Sequence, residues 1–214
     1  MATSSTSRAA GSTAPGSGAR PAPPHPDELT ARQRARRDRI VSGALALMME
    51  RPFEAVQMKD VAAASDVALG TVYRYFSSKD HLFAEAFAAW ARQYRPDAPG
   101  VDDVPEERRN LSRLTAAYQR AVRAFEVHPE VYGHLLAIQS TADPQAVEIF
   151  KGFVVSQNDA FASALARVAS PKRERIIAVM NAVLNTGLRD WTLGRTTIVA
   201  VYDDIASAAD LMLG

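Results

Sequence analysis

Apolar positions recur along most of the chain at steps of three and four, the spacing of one helix face, and no segment shows sustained strand-like alternation. Ile40, Val41, Ala44, Leu45 and Met48 mark a helix from Ala31 to about Met49, with Thr30 placed to cap it and Pro52 to end it. Val61 and Ala62 predict a short helix from Met58 to Ala64, the Ser65-Asp66 pair a turn, and a second short helix follows from about Ala68 to Phe76. After Ser77-Ser78, the positions Leu82, Phe83, Ala86, Phe87 and Trp90 carry a longer helix from Lys79 until Pro96. The run Asp97-Ala98-Pro99-Gly100 then breaks the chain.

The remainder also reads as helices: Glu106–Val127 closed by Pro129, Glu130–Ser140, and a long helix opened by Asp143-Pro144 and running to about Ala169. Ser170-Pro171 opens another through Ile176, Met180, Val183, Leu184, Gly187, Leu188 and Trp191. After Gly194 the last helix places Ile198, Val201, Tyr202, Ile205, Ala208, Ala209 and Met212 on one side. The expected fold is all-α. Residues 29–78 form a three-helix helix-turn-helix domain, 79–96 a connecting helix, and 97–214 a helical bundle. Residues 1–28 are mostly Ala, Gly, Pro, Ser and Thr and read as a disordered arm, because they bury too little apolar surface to offset their ordering entropy.

Charge sharpens this division. The net charge is +1, but residues 29–95 carry eleven Lys/Arg against seven acids and residues 96–214 twelve against fifteen. An anionic partner is therefore expected for the first part only. With no cysteine, disulfides and thiolate chemistry are excluded. No apolar run is long enough to cross a membrane and no secretory leader is apparent, so a cytoplasmic protein without membrane contact is expected. His25, His81, His128 and His134 share no metal-binding spacing, and no nucleophile elbow, phosphate-cradling loop or dinucleotide fingerprint occurs. Neither catalysis nor a cofactor is expected.

The helix-turn-helix reading needs a small residue where the short helices cross, which Ala62 supplies, and apolar locks, which Val61, Val67, Val72 and Phe76 supply. Gly70 lets the backbone approach another surface. Thr71, Tyr73, Arg74 and Tyr75 project polar tips from a helix too short to need them for solubility, with Lys79 just beyond. Hydroxyls, an ammonium and a helix N-terminus are the groups that grip phosphate oxygens. Arg32, Arg34, Arg36, Arg37 and Arg39 fit either tracking of a nucleic-acid backbone from the start of the first helix or a solvated basic helix end.

The run Gly70-Thr71-Val72-Tyr73-Arg74-Tyr75-Phe76-Ser77-Ser78-Lys79, with Val61-Ala62 before it, resembles the DNA-binding signature of TetR-family transcriptional regulators over residues 36–90. Glu54-Ala55-Val56-Gln57-Met58 and the Tyr-Arg-Tyr-Phe segment look, within that family, like the actinobacterial repressors of sterol catabolism. The resemblance implies a homodimeric repressor of a palindromic double-stranded operator. It implies that Gln57 and Lys59 touch the DNA at the front of the first short helix, that Gly70 and Thr71 enter the major groove, and that Tyr73, Arg74, Tyr75 and Lys79 hold phosphates or bases. Two positions depart from the family pattern: Asp66 stands where glycine is common in the turn, and Ala68 where a serine cap is common.

The last two helices each carry an apolar face wider than one neighbour needs, with Gly187, Ala208 and Ala209 permitting close approach, and are expected to form the dimer interface. An apolar effector is expected in the bundle, among Tyr118, Phe125, Tyr132, Phe150, Phe153, Phe161, Met180 and Trp191, oriented by Gln139, Gln157, Asn158, Asn181 and Asn185. The sterol resemblance implies a steroid-derived acid or its coenzyme A thioester. Control of drug efflux or fatty-acid metabolism, or constitutive DNA binding without an effector, remain open alternatives.

Overall fold

A computed structural model describes residues 23–24, 26–94, 105 and 108–214. The described residues form helices α1 (Ala31–Glu50), α2 (Met58–Ala64), α3 (Leu69–Tyr75), α4 (Lys79–Gln93), α5 (Arg109–Val127), α6 (Glu130–Gln139), α7 (Pro144–Ala164), α8 (Ser170–Thr192) and α9 (Ile198–Leu213). Three-residue 3-10 turns at Pro26–Glu28 and Phe53–Ala55 accompany them. The fold is all-α, with helix-turn-helix elements at the N-terminal end and a helical bundle after them. The expected arm (residues 1–22 and His25), the Asp97–Gly100 break and the Glu106 helix start lie outside the described residues.

Helix starts follow their caps. Thr30 and Gln33 close a reciprocal capping box: the Gln33 amide donates to Thr30 Oγ1 (3.3 Å) and the Thr30 amide to Gln33 Oε1 (2.9 Å). Asp143 accepts from the Gln145 and Ala146 amides ahead of Pro144, and Thr197 accepts from the Ala200 amide. Helix α7 stops at Ala164, short of the expected Ala169. There the chain turns so that Leu165 is wholly buried before Pro171 opens α8.

Helix α4 lies against α1 on one side and α7 on the other, so the N-terminal helices α1–α3 and the bundle share one apolar core. At the α1–α2 crossing a Cβ at Gly43 would stand 2.3 Å from Ser65 Oγ, a close approach that glycine alone permits without rearrangement. Gly187 and Ala209, expected at a dimer interface, serve the chain's own α8–α9 packing. A Cβ at 187 would meet Val201 Cγ1 at 3.1 Å, and Ala209 is buried. Among the described residues no helix is long and apolar enough to cross a membrane.

Candidate nucleic-acid interface and effector cavity

The two seven-residue helices α2 and α3 are too short to persist alone, so their geometry depends on what they are fastened to. The turn between them closes through Ser65 N–H to Val61 O (3.0 Å) and Val67 N–H to Ala62 O (3.1 Å), with Asp66 in the left-handed region at φ 51°. Val61, Ala62, Val72 and Phe76 are buried and lock the crossing. Ala68 caps α3 by backbone position only, having no side chain that could bond the first amides.

Gln57, Lys59, Gly70 and Arg74 are exposed, and Thr71 and Tyr73 half-buried, along one surface of these helices. Gly70 sits in open space: a Cβ there would meet nothing within 4 Å. A glycine inside a helix costs roughly 0.5–1 kcal/mol relative to alanine. Nothing around Gly70 in the folded chain requires that cost, in contrast to Gly43.

Three expected contacts turn inward. Tyr75 is 2% exposed, because it shares the buried face of α3 with Val72 and Phe76, and its hydroxyl accepts from Arg74 Nη2 (3.2 Å). Arg37 shares the buried stripe of α1 with Ile40, Val41 and Ala44. It pairs with Glu85 at 2.5 Å, the two side chains 11% and 20% exposed, and its guanidinium lies over the Phe76 ring. Lys79 donates to the Phe53 carbonyl and stands 3.9 Å above the Phe53 ring, and burial pushes its pKa down. Arg37 thus joins α1 to α4 and to Phe76 at the end of α3, and Lys79 joins α4 to the Phe53–Ala55 turn; periodicity marked their positions but not their partners.

Further polar joints tie this end to the bundle. Ser78 caps α4 through the His81 amide and donates to Asp143 Oδ2 (2.6 Å), the residue that caps α7. Burial alone would raise the Asp143 pKa, but hydrogen bonds from Ser78 and the Ala146 and Gln145 amides outweigh it and hold the carboxyl low. His134, fully buried on α6 and stacked on Phe83, donates from Nε2 to the Arg51 carbonyl (2.8 Å). That bond makes Nε2 the protonated nitrogen, and burial lowers the pKa.

In the bundle a cavity of about 250 Å³ opens between α5, α6, α7 and α8. Of the expected contacts, Phe125, Gln139, Phe153, Gln157 and Asn181 line it, as do Phe150, Phe161, Asn158 and Asn185. Tyr118, Tyr132, Met180 and Trp191 do not. Tyr118 stands behind the wall, stacked on Phe161 at 3.8 Å, its hydroxyl donating to Asn181 Oδ1 (2.9 Å) and its pKa driven upward by burial. The Tyr132 hydroxyl donates to the Asn185 carbonyl, and Trp191 packs against the core instead. Asn181 Nδ2 donates to Asn158 Oδ1 (2.9 Å), so the cavity amides pair with one another. Leu135, Val154, Leu184 and Leu188 supply an aliphatic lining that the sequence marks only as core, because leucine and valine at helical spacing look the same in either place. A groove of about 220 Å³ between α4 and α7 adjoins the cavity across Phe153 and Gln157.

Residues 40–86 match the family described as bacterial regulatory proteins, tetR family. The chain is 31% identical over 191 residues to the HTH-type transcriptional repressor KstR of Rhodococcus jostii (strain RHA1), spanning 88% of each sequence. It is 30% identical over 184 residues to KstR of Mycobacterium tuberculosis (strain H37Rv), spanning 85% of this chain and 82% of that one. Among solved structures, a TetR transcriptional regulator from Rhodococcus sp. RHA1 superposes with a TM-score of 0.68 at 24% identity, over 85% of this chain and 97% of that one.

Proposed function

The chain belongs to the TetR family of bacterial regulatory proteins, which makes it a ligand-responsive DNA-binding regulator and not an enzyme, and we propose that it is a homodimeric repressor released from a palindromic operator by an apolar effector. The observation that carries the DNA reading is Gly70, an exposed helix glycine for which the chain itself has no packing use. A duplex backbone or base edge pressed against α3 supplies that use. Gly70 and Thr71 then face base edges, while Gln57, Lys59, Tyr73 and Arg74 position the helix on the phosphates. Arg37 and Lys79 brace α1, α4 and the Phe53 turn behind the reading helices, and Tyr75 is buried beneath α3.

Two recognition helices must stand about 34–36 Å apart to enter successive major grooves. The outer faces of α8 and α9 support a two-fold contact: Val183, Ala208 and Leu211 border an open groove, and Leu211 is 86% exposed. An effector in the cavity between α5 and α8 shifts operator affinity only through its differential affinity for the two spacings, typically ~1–3 kcal/mol. The finer reading is a steroid-derived acid or its coenzyme A thioester. It rests on the resemblance to sterol-catabolism repressors and on an apolar cavity fringed by a few amides.

Selection of genomic fragments on the purified protein tests the DNA reading. A palindrome with half-sites about one turn apart is expected, and indifference to sequence overturns it. On the selected operator, Lys59→Ala weakens all duplexes alike and reduces the salt slope by about one phosphate, whereas Thr71→Ala alters preference among sites. Titration of the complex with steroid acids and their thioesters tests the effector. Release by unrelated lipids or drugs alone removes the sterol reading and leaves the regulator standing.

A further inference from the structure

Trp90 lies toward the C-terminal end of α4, against the bundle, 2% exposed, its ring tilted against Tyr94 (4.9 Å between centroids) and Phe125 (5.0 Å). Packing satisfies the carbon skeleton but not the indole nitrogen: the buried Nε1–H has no acceptor among the described residues. A buried tryptophan ordinarily finds one, and a ring needed only for its bulk is supplied by phenylalanine without a stranded donor.

Trp90 also borders a small annex of about 40 Å³. Its walls include Ala121, Phe125, Phe153 and Gln157, which also line the main cavity, so the two spaces lie on either side of the same four side chains. A space of that size takes about one or two non-hydrogen atoms, not a ring.

The geometry points to an orienting contact for the effector: an apolar molecule in the cavity places a carbonyl oxygen in the annex, where it accepts a hydrogen bond from Trp90 Nε1–H. This rests on the cavity being the effector site. It adds that the effector is an apolar body bearing a carbonyl at one end, and that its polar end holds α4 directly. Because α4 packs along α1, the first helix of the helix-turn-helix domain, this bond couples recognition of the carbonyl to the position of that domain. A hydrocarbon of the same shape fills the cavity without gripping α4.

The chain has two tryptophans, so indole N–H signals in nitrogen-15 spectra of the full-length protein are few, and Trp191→Phe assigns them. The probes are 2-decalone and decalin, matched fused-ring bodies that differ by one carbonyl. Corrected for octanol–water partition, the ketone is expected to bind about fivefold tighter. The Trp90 N–H signal moves downfield with the ketone alone, and Trp90→Phe binds both probes alike. Equal binding with an unmoved Trp90 signal overturns the contact, as it would if a water held the N–H, and leaves the cavity reading intact. Failure of both probes to bind overturns the cavity reading and the contact with it. If Trp90→Phe does not fold, the wild-type titration decides alone.

Discussion

The reading end and the effector end are held together by different means. At the reading end, two helices of seven residues are locked by buried Val61, Ala62, Val72 and Phe76, and polar fasteners join the distant segments around them: Arg37 to Glu85, Lys79 to the Phe53 carbonyl, His134 to the Arg51 carbonyl. At the effector end, helices of 19 to 23 residues in α5, α7 and α8 surround a cavity and are joined by aromatic stacking and a few paired amides. Hydrogen bonds and ion pairs are directional, so they set how α1, α4 and α6 stand behind α2 and α3. Apolar contact is not, so the bundle can leave a space without losing its fold. A regulator needs both: a rigid reader and an interior that tolerates a guest.

Breaking the apolar side has the largest expected effect. Phe161→Ala removes the ring stacked on Tyr118 and should cost about 3–5 kcal/mol in denaturant unfolding. Operator affinity of the folded fraction should be retained, and a loss there would show that the two ends are not separable. Arg37→Met should cost less, about 2 kcal/mol, because it strands the partly buried Glu85 carboxylate. Operator affinity should nevertheless fall as α1 and α4 lose their register. Adding Glu85→Leu should restore stability without restoring affinity.

Gly70→Ala separates the ends by sign. It should stabilise the fold by roughly 0.5–1 kcal/mol while weakening operator binding about tenfold. Unchanged affinity would remove the close approach assigned to this residue. The pH dependence is the smallest expected effect. Burial lowers the folded pKa of His81 and His134, so the unfolded chain binds more protons, and the stability from their neutral forms is full above the ordinary histidine range. It should be lost as pH falls below about 6.5. His134→Gln, which retains a donor for the Arg51 carbonyl, should flatten that slope in unfolding curves measured across this range.

Much of the fold was legible in the residues. Helix boundaries follow apolar spacing and caps such as Thr30, Asp143 and Thr197, which act over three or four residues and need no knowledge of the rest. Asp66 in a left-handed turn and the uncapped start of α3 at Ala68 were visible for the same local reason. Within the candidate effector site the cavity amides and large rings could be named, but not the aliphatic half of the lining, because a leucine facing a cavity has the same spacing as one facing a core.

Sequence by itself therefore determined the helices, the turn, the recognition run and the split in charge between the two ends. Tertiary structure decided which polar tips remain outward and which become fasteners. Arg37 finds Glu85 48 positions away and Lys79 finds Phe53 26 positions away, distances over which periodicity carries no information. It decided also that Tyr118 stands behind the cavity wall and that Trp90 keeps an unpaired donor beside it. Spacing says which side of a helix a residue occupies, but the partner it meets, or the space it borders, depends on how several helices fail or succeed in filling the volume between them.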